Sequence, residues 1–220
     1  MGMMCIPYPL LASLHVHSSL SWDEFLAGMR ELSSLHTSPS TLLSDVSDQG
    51  IKILRQLDVD SNSFMQAIES SYESGNRFWL WQRLVKEQGM NGGILHVENQ
   101  QAIPLHDHPH AIGMLRMLSG EAEVWQFDKV STQSATDGSQ QATLRLLSHK
   151  LLKPGDTAIL TPAVGNIHAV KARSPRCSML DFFIPPYKKS ERSWYTPLTG
   201  GLNEKQLVCT QTPEHEFSQT

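Results

Sequence analysis

The spacing of apolar positions changes near residue 92, and two kinds of element follow from it. Before that point Phe25, Met29 and Leu32 recur at the spacing that lines one face of an α-helix. Ser21-Trp22-Asp23-Glu24 precedes them as a capping box, in which the serine accepts from the first helical turn and Glu24 reaches back. The same period predicts helices over 63–72 and over 78–88, the second stopped by Gly89 as a C-cap. Residues 33–47 are rich in Ser and Thr, contain Pro39 and read as a loop.

After Gly93 the pattern turns to short strands. Residues 94–97, 122–127 and 142–147 are three of them, punctuated by Gly120, Pro154-Gly155-Asp156 and Pro162. Residues 128–141 are polar and read as an excursion between two strands. Many short strands with such turns predict an antiparallel barrel or sandwich rather than alternating βαβ units. The expected organisation is a helical arm over 1–92, a barrel over 93–200 and a tail over 201–220.

Composition narrows the class. With 220 residues, 40% hydrophobic and 18% charged, the chain can close one substantial core. Its formal charge of -4 gives no net basic field for phosphate neutralisation, so nucleic acid is not an expected partner. No apolar run is long enough to predict a membrane-spanning helix. Cys5, Cys177 and Cys209 cannot all pair with one another, which favours a reducing, cytoplasmic setting. Residues 1–16 lack Lys and Arg and contain Pro7 and Pro9, so they do not read as a signal peptide, and Ile6 breaks the myristoylation pattern after Gly2.

The chemistry centres on Pro104-Leu105-His106-Asp107-His108-Pro109. On a strand, residues two apart share a face, so His106 and His108 would project together, half of a transition-metal site. Taken alone, such a pair is better explained as two solvated surface histidines. A later segment weighs against that: Pro154-Gly155-Asp156, Pro162 and Gly165 lead to His168, a third nitrogen arriving on another strand.

Together these segments resemble the two cupin motifs, and the cupin fold, a double-stranded β-helix or jelly-roll-like barrel, is the expectation they imply. The second motif departs slightly, with two residues between Pro162 and Gly165 and Ala172 where an asparagine is usual. The glutamate with which many cupins complete a metal site falls on Gly113, and Glu121 and Glu123 come too late to replace it. Three histidines and no carboxylate remain.

Over roughly residues 94–195 the chain resembles the cysteamine dioxygenase and plant cysteine oxidase family of thiol dioxygenases. The likeness lies in residues 104–109, in Gly113-Met114-Leu115-Arg116 and Leu118-Ser119-Gly120, in Asn166-Ile167-His168, in Leu180-Asp181 and in Pro185-Pro186-Tyr187. It implies a mononuclear Fe(II) held by His106, His108 and His168, with open positions for a thiol and O2, and a sulfinate product. It also implies a second-sphere or substrate-amine role for Asp181, a carboxylate too costly to bury in its apolar run without a purpose. Tyr187 in its Pro-Pro frame either points its hydroxyl at the metal pocket or packs as an aromatic at a turn.

Other residues take plainer readings. His96 and Cys177 are expected to be structural, His15 and His17 a solvated pair, and Arg116 a strand-face charge where the family has lysine. His110, at a position usually glycine in the family, lines the pocket mouth or is simply exposed. Tyr195 matches a family tyrosine, but Ser193 and Trp194 stand where some members carry a cysteine, which argues against a Cys–Tyr crosslink there. Arginines are few in the barrel half and none sits in a carboxylate-clamp motif, so the expected substrate is an amine-bearing thiol without a free carboxylate, cysteamine-like or a Cys-initiated peptide. The competing reading is a non-enzymatic metal-binding cupin that binds or senses a small molecule.

Overall fold

At the head of the first helix the Ser21 N–H and hydroxyl both donate to the Glu24 carboxylate, at 2.9 and 2.7 Å, and the Glu24 N–H donates back to Ser21 Oγ at 3.4 Å. The expected capping box is formed, and it starts α1 (Trp22–His36). The structure, a computed structural model, describes residues 19–36, 43–75, 77–78, 80–98 and 101–217. Cys5, His15, His17 and Pro39, and the expectations attached to them and to the first sixteen residues, lie outside these.

Two further helices follow, α2 (Leu43–Gln56) and α3 (Asn62–Glu73). The expected helix over 63–72 is α3, but the expected loop over 33–47 holds the end of α1 and the start of α2. The serines that suggested a loop instead bond helix carbonyls: Ser34 Oγ donates to Arg30 O at 3.0 Å and Ser47 Oγ to Leu43 O at 2.9 Å. Burial of Val46 and Leu54 on one side of α2 overrides the weak helix preference of its serines.

The strands are β1 (Arg77–Phe78), β2 (Trp81–Lys86), β3 (Asn91–Glu98), β4 (Ala102–His106), β5 (Ile112–Ser119) and β6 (Ala122–Ser134). After these come β7 (Gln140–Leu152), β8 (Thr157–Leu160), β9 (Ile167–Ala172), β10 (Arg176–Ile184), β11 (Ser193–Pro197) and β12 (Gln206–Pro213). One sheet runs β1-β2-β3-β10-β5-β8, and the other, β11-β12-β7-β6-β9-β4, closes as a barrel where Trp194 pairs with His106. All the strand pairs are antiparallel.

Three expectations are corrected here. The helix expected over 78–88 is β1 and β2, because pairing with β3 (Gln82 opposite Ile94, Arg83 opposite Gly93) satisfies its backbone where helix bonds would have done. Gly89 is therefore no C-cap; it lies in the β2–β3 turn, where its carbonyl accepts from Ser33 Oγ at 2.8 Å. The polar excursion over 128–141 is mostly strand, β6 and β7 pairing out to Ser134 opposite Gln140. The first sheet begins at Arg77, and β12 pairs with β7 and β11.

The helices cover the outer face of the first sheet. Trp22, Phe25, Met29 and Phe64 pack on Leu180, Phe182 and Ile184, and Phe25 meets Phe182 edge-on at 5.2 Å. The alternate residues of β10, Cys177 and Met179, face the barrel interior. The apolar run 179–184 is thus buried on both faces, and Asp181 belongs to the interior row. Arg116 joins the layers, donating to the Leu54 and Leu57 carbonyls at 2.8 and 2.7 Å at the end of α2. It is more than a strand-face charge. Gly120, at φ 69°, turns tightly over Arg176 and Cys177, where a side chain would collide with backbone. No helix among the described residues is long and apolar enough to cross a membrane.

Candidate metal centre and substrate pocket

His106 is the last residue of β4 and pairs directly with His168 near the start of β9. His108 lies in the turn beyond β4, so the His-x-His segment straddles a strand end rather than lying within one strand. The consequence of the spacing survives. The rings of His106 lie 4.7 Å from His108 and 4.5 Å from His168, and one nitrogen of each of the three falls within 4.8 Å of the others.

Asp107 points the opposite way. Its carboxylate accepts from Ser193 N–H at 2.7 Å and from the Tyr195 hydroxyl at 2.8 Å, while His108 N–H donates to Asn166 Oδ1 at 2.8 Å. These bonds hold the loop between the two histidines from behind. Tyr195 is committed to them, with Ser193 and Trp194 beside it on β11.

Burial drives the triad to its neutral, donor-ready state. His106 and His108 are 4% and 3% exposed, and desolvation, with the charges of the neighbouring histidines and Arg192, holds both well below the ordinary imidazole range. Burial lowers His168 to about 4. The His106 Nδ1 lies 2.8 Å from the Pro104 carbonyl, which turns the other ring nitrogen into the cluster. The buried Nδ1 of His108 has no protein partner among the described residues, and the His168 ring lies beside the Asn166 backbone. Three neutral nitrogens, converging in a buried cluster with no carboxylate among them, fit a divalent transition metal.

The triad forms part of the wall of a cavity of about 410 Å³, which also reaches Trp81, Arg83, Asp181, Phe183, Tyr187 and Arg192. A depression of similar volume, about 440 Å³, lies behind the His-x-His loop beside Asp107, Lys129 and Tyr195, but contains none of the triad. Asp181 is raised to about 7 by burial, opposed by the Trp81 indole N–H. Tyr187 packs its ring on His108 at 4.4 Å and on Phe183 at 4.9 Å, and burial raises its phenol to about 12 despite the nearby Arg192 charge. Both expected pocket residues therefore meet the triad in one cavity. Cys177 is buried and unpaired, as expected. His96 bonds Gln82 Oε1 at 3.2 Å, which leaves it structural. His110 is exposed, at φ 63°, a backbone conformation that suits glycine.

Sequence reasoning missed two arginines here. Arg192, near a turn in the sequence, sits in the wall and forms a two-point pair with Glu214, with both bonds at 2.8 Å. Glu214 also accepts from Trp194 Nε1, and the Trp194 ring lies 5.0 Å from that of His106. Arg83 comes from β2, outside the half searched for a clamp. The scarcity of arginines in the barrel half is therefore no ground for excluding a carboxylate from the substrate.

Residues 42–201 match the family described as PCO_ADO. The chain belongs to this family. Relatives of this PCO_ADO chain include the 2-aminoethanethiol dioxygenase of Mus musculus, 26% identical over 124 residues, which are 49% of this chain and 48% of that protein. Plant cysteine oxidase 2 of Arabidopsis thaliana is 31% identical over 86 residues, 39% of this chain and 31% of that protein. The PCO_ADO chain thus spans about half the length, or less, of the curated relatives it matches. A solved cupin superfamily protein from Desulfitobacterium hafniense aligns with 16% identity and a TM-score of 0.35, over 48% of this chain and 76% of that one.

Proposed function

We propose that this protein is a non-haem Fe(II) thiol dioxygenase that oxidises an amine-bearing thiol, cysteamine-like or an N-terminal cysteine, to a sulfinate with O2. One thiol and one O2 give one sulfinic acid, with both oxygen atoms delivered to sulfur. The observation that carries the reading is the all-histidine triad sharing one cavity with Asp181. His106, His108 and His168 would hold the iron, which supplies thiol acidification and the redox partner for O2. The family also supports this reading.

The chain's own part is positioning. Asp181 receives the substrate ammonium: burial holds its pKa at about 7 even with the Trp81 indole N–H beside it, and an adjacent cation stabilises its carboxylate form. Tyr187 stays protonated at working pH and offers an O–H donor beside His108. Arg192, its charge met by Glu214, keeps the wall between them in place. Phe183 and Trp81 give the cavity apolar sides that exclude water.

The test is oxygen uptake by the iron-loaded protein with cysteamine, Cys-initiated peptides, free cysteine and 3-mercaptopropionate. Turnover of the first two, with higher kcat/KM than 3-mercaptopropionate, is expected. Iron binding without oxygen uptake on any thiol would overturn the enzyme and leave a metal-binding module, and a preference for the amine-free acid would overturn the role of Asp181.

A further inference from the structure

The cross-strand register sets an open cation beside the proposed amine site. Arg83 of β2 lies opposite Gly93 of β3, and Gly93 lies opposite Asp181 of β10. Directly opposed residues share a face, so Arg83 and Asp181 look into the same cavity from two strands apart, a backbone separation of roughly 10 Å. Between them Gly93 has no side chain. A Cβ there would fall 2.7 Å from the Trp81 ring, so the indole lies over that gap.

Trp81 therefore screens the two charges from each other, and no ion pair forms between Arg83 and Asp181. Arg83 stands 6.0 Å from the indole centroid, with its Nε buried and without an acceptor. The other arginines with described side chains each end on one, as Arg30 does on Glu87, Arg192 on Glu214 and Arg116 on the Leu54 carbonyl. Lys86 extends the same wall, pairing in register with Asn91. The guanidinium of Arg83 thus borders the cavity with one nitrogen buried and no acidic partner among the described residues, where an anion entering the cavity could meet it.

We propose that Arg83, assisted by Lys86, is a subsite for a carboxylate that the substrate carries beyond its amine, so that the pocket selects aminothiols with an acidic group on the side of β2. The proposal rests on the function proposed above for Asp181, and it adds a specificity residue on the strand that sequence reasoning took for helix.

A pair of probes that differ only in charge isolates it. Amidated Ser-Glu and Ser-Gln dipeptides cannot be oxidised, so equilibrium binding to the iron-loaded protein reads the subsite without turnover. Ser-Glu should bind about tenfold more tightly than Ser-Gln, the scale of one charge-assisted bond. Added salt should narrow the gap, Arg83→Lys should keep part of it and Arg83→Gln should abolish it, with iron content unchanged as the check on folding. Equal affinities in the parent protein, or a gap that persists in Arg83→Gln, would overturn the subsite. In the matching kinetic experiment Cys-Glu should exceed Cys-Gln in kcat/KM by the same factor. Oxidation of both at equal rates would sink the subsite and leave the dioxygenase standing. Charge-dependent binding without oxidation of any thiol would do the reverse.

Discussion

The two faces of β10 differ in how completely their groups are satisfied. Outward, Leu180, Phe182 and Ile184 are buried in a cluster with apolar side chains of the helices and the neighbouring strands. Inward, Asp181 and Phe183 share a cavity with Trp81, Arg83, Asn91, His108 and His168, and there Arg83 Nε, Asn91 Oδ1 and His108 Nδ1 are buried without a hydrogen bond. A protein interior leaves such groups unpaired at a cost, so they gather where a ligand is to supply the missing partner. Stability is concentrated on one face and chemistry on the other.

The largest effect should come from breaking the inner face alone. His168→Ala should reduce iron to background and lower turnover by at least about a thousandfold, while the circular dichroism spectrum of the folded barrel is retained. Full iron occupancy in that variant would remove the ligand assignment. On the outer face, Phe182→Ala should cost about 3–5 kcal/mol in denaturant stability, because Phe25 and Trp22 lose the ring they pack against. The iron bound per folded molecule should stay near that of the parent.

Asp181 is where the two faces can be weighed against each other. Its acid is raised from 3.8 to about 7 by burial, so the unfolded chain gives up the proton first. Its contribution to stability should therefore fall as pH rises from 3.8 to about 7 and level off above that. In metal-free protein, Asp181→Asn should remove a pH-dependent loss of roughly 2–4 kcal/mol, seen as a smaller drop in Tm between pH 5 and pH 8, on the order of that of a protein lacking one buried acid. The same variant should load iron normally and turn over amine-bearing thiols slowly. Parental activity would make Asp181 a structural residue. The smallest effect is outside both faces: His110→Gly should raise stability by about 1 kcal/mol by relieving its left-handed backbone, and a lower Tm would show the imidazole to be making an unseen contact.

What could be read from the sequence follows the same division. His106, His108 and His168 were legible as a group because their residue type and spacing suggest metal ligands, and the fold brings them together even though the first two straddle a strand end. Asp181 was legible as a charge in an apolar run, and the alternation of β10 explains how it can be there. Trp81 and Arg83 were not, because residues 78–88 carry apolar positions that fit a helix as well as a strand, and only pairing with β3 decides between them. Arg192 and Glu214 pair across 22 positions with no motif at either end, a contact that tertiary folding alone creates. The length of the β6–β7 ribbon was hidden for a similar reason: its tip is polar on both faces, so no burial pattern marks it as strand.

The central claim is that the inner face supports transfer of both atoms of O2 to a thiol. The direct test is mass spectrometry of the product formed by iron-loaded protein from cysteamine or a Cys-initiated peptide under isotopically labelled O2. A sulfinate carrying two labelled oxygens, absent with His168→Ala, is the predicted result. A disulfide, or a product whose oxygen comes from water, would contradict it.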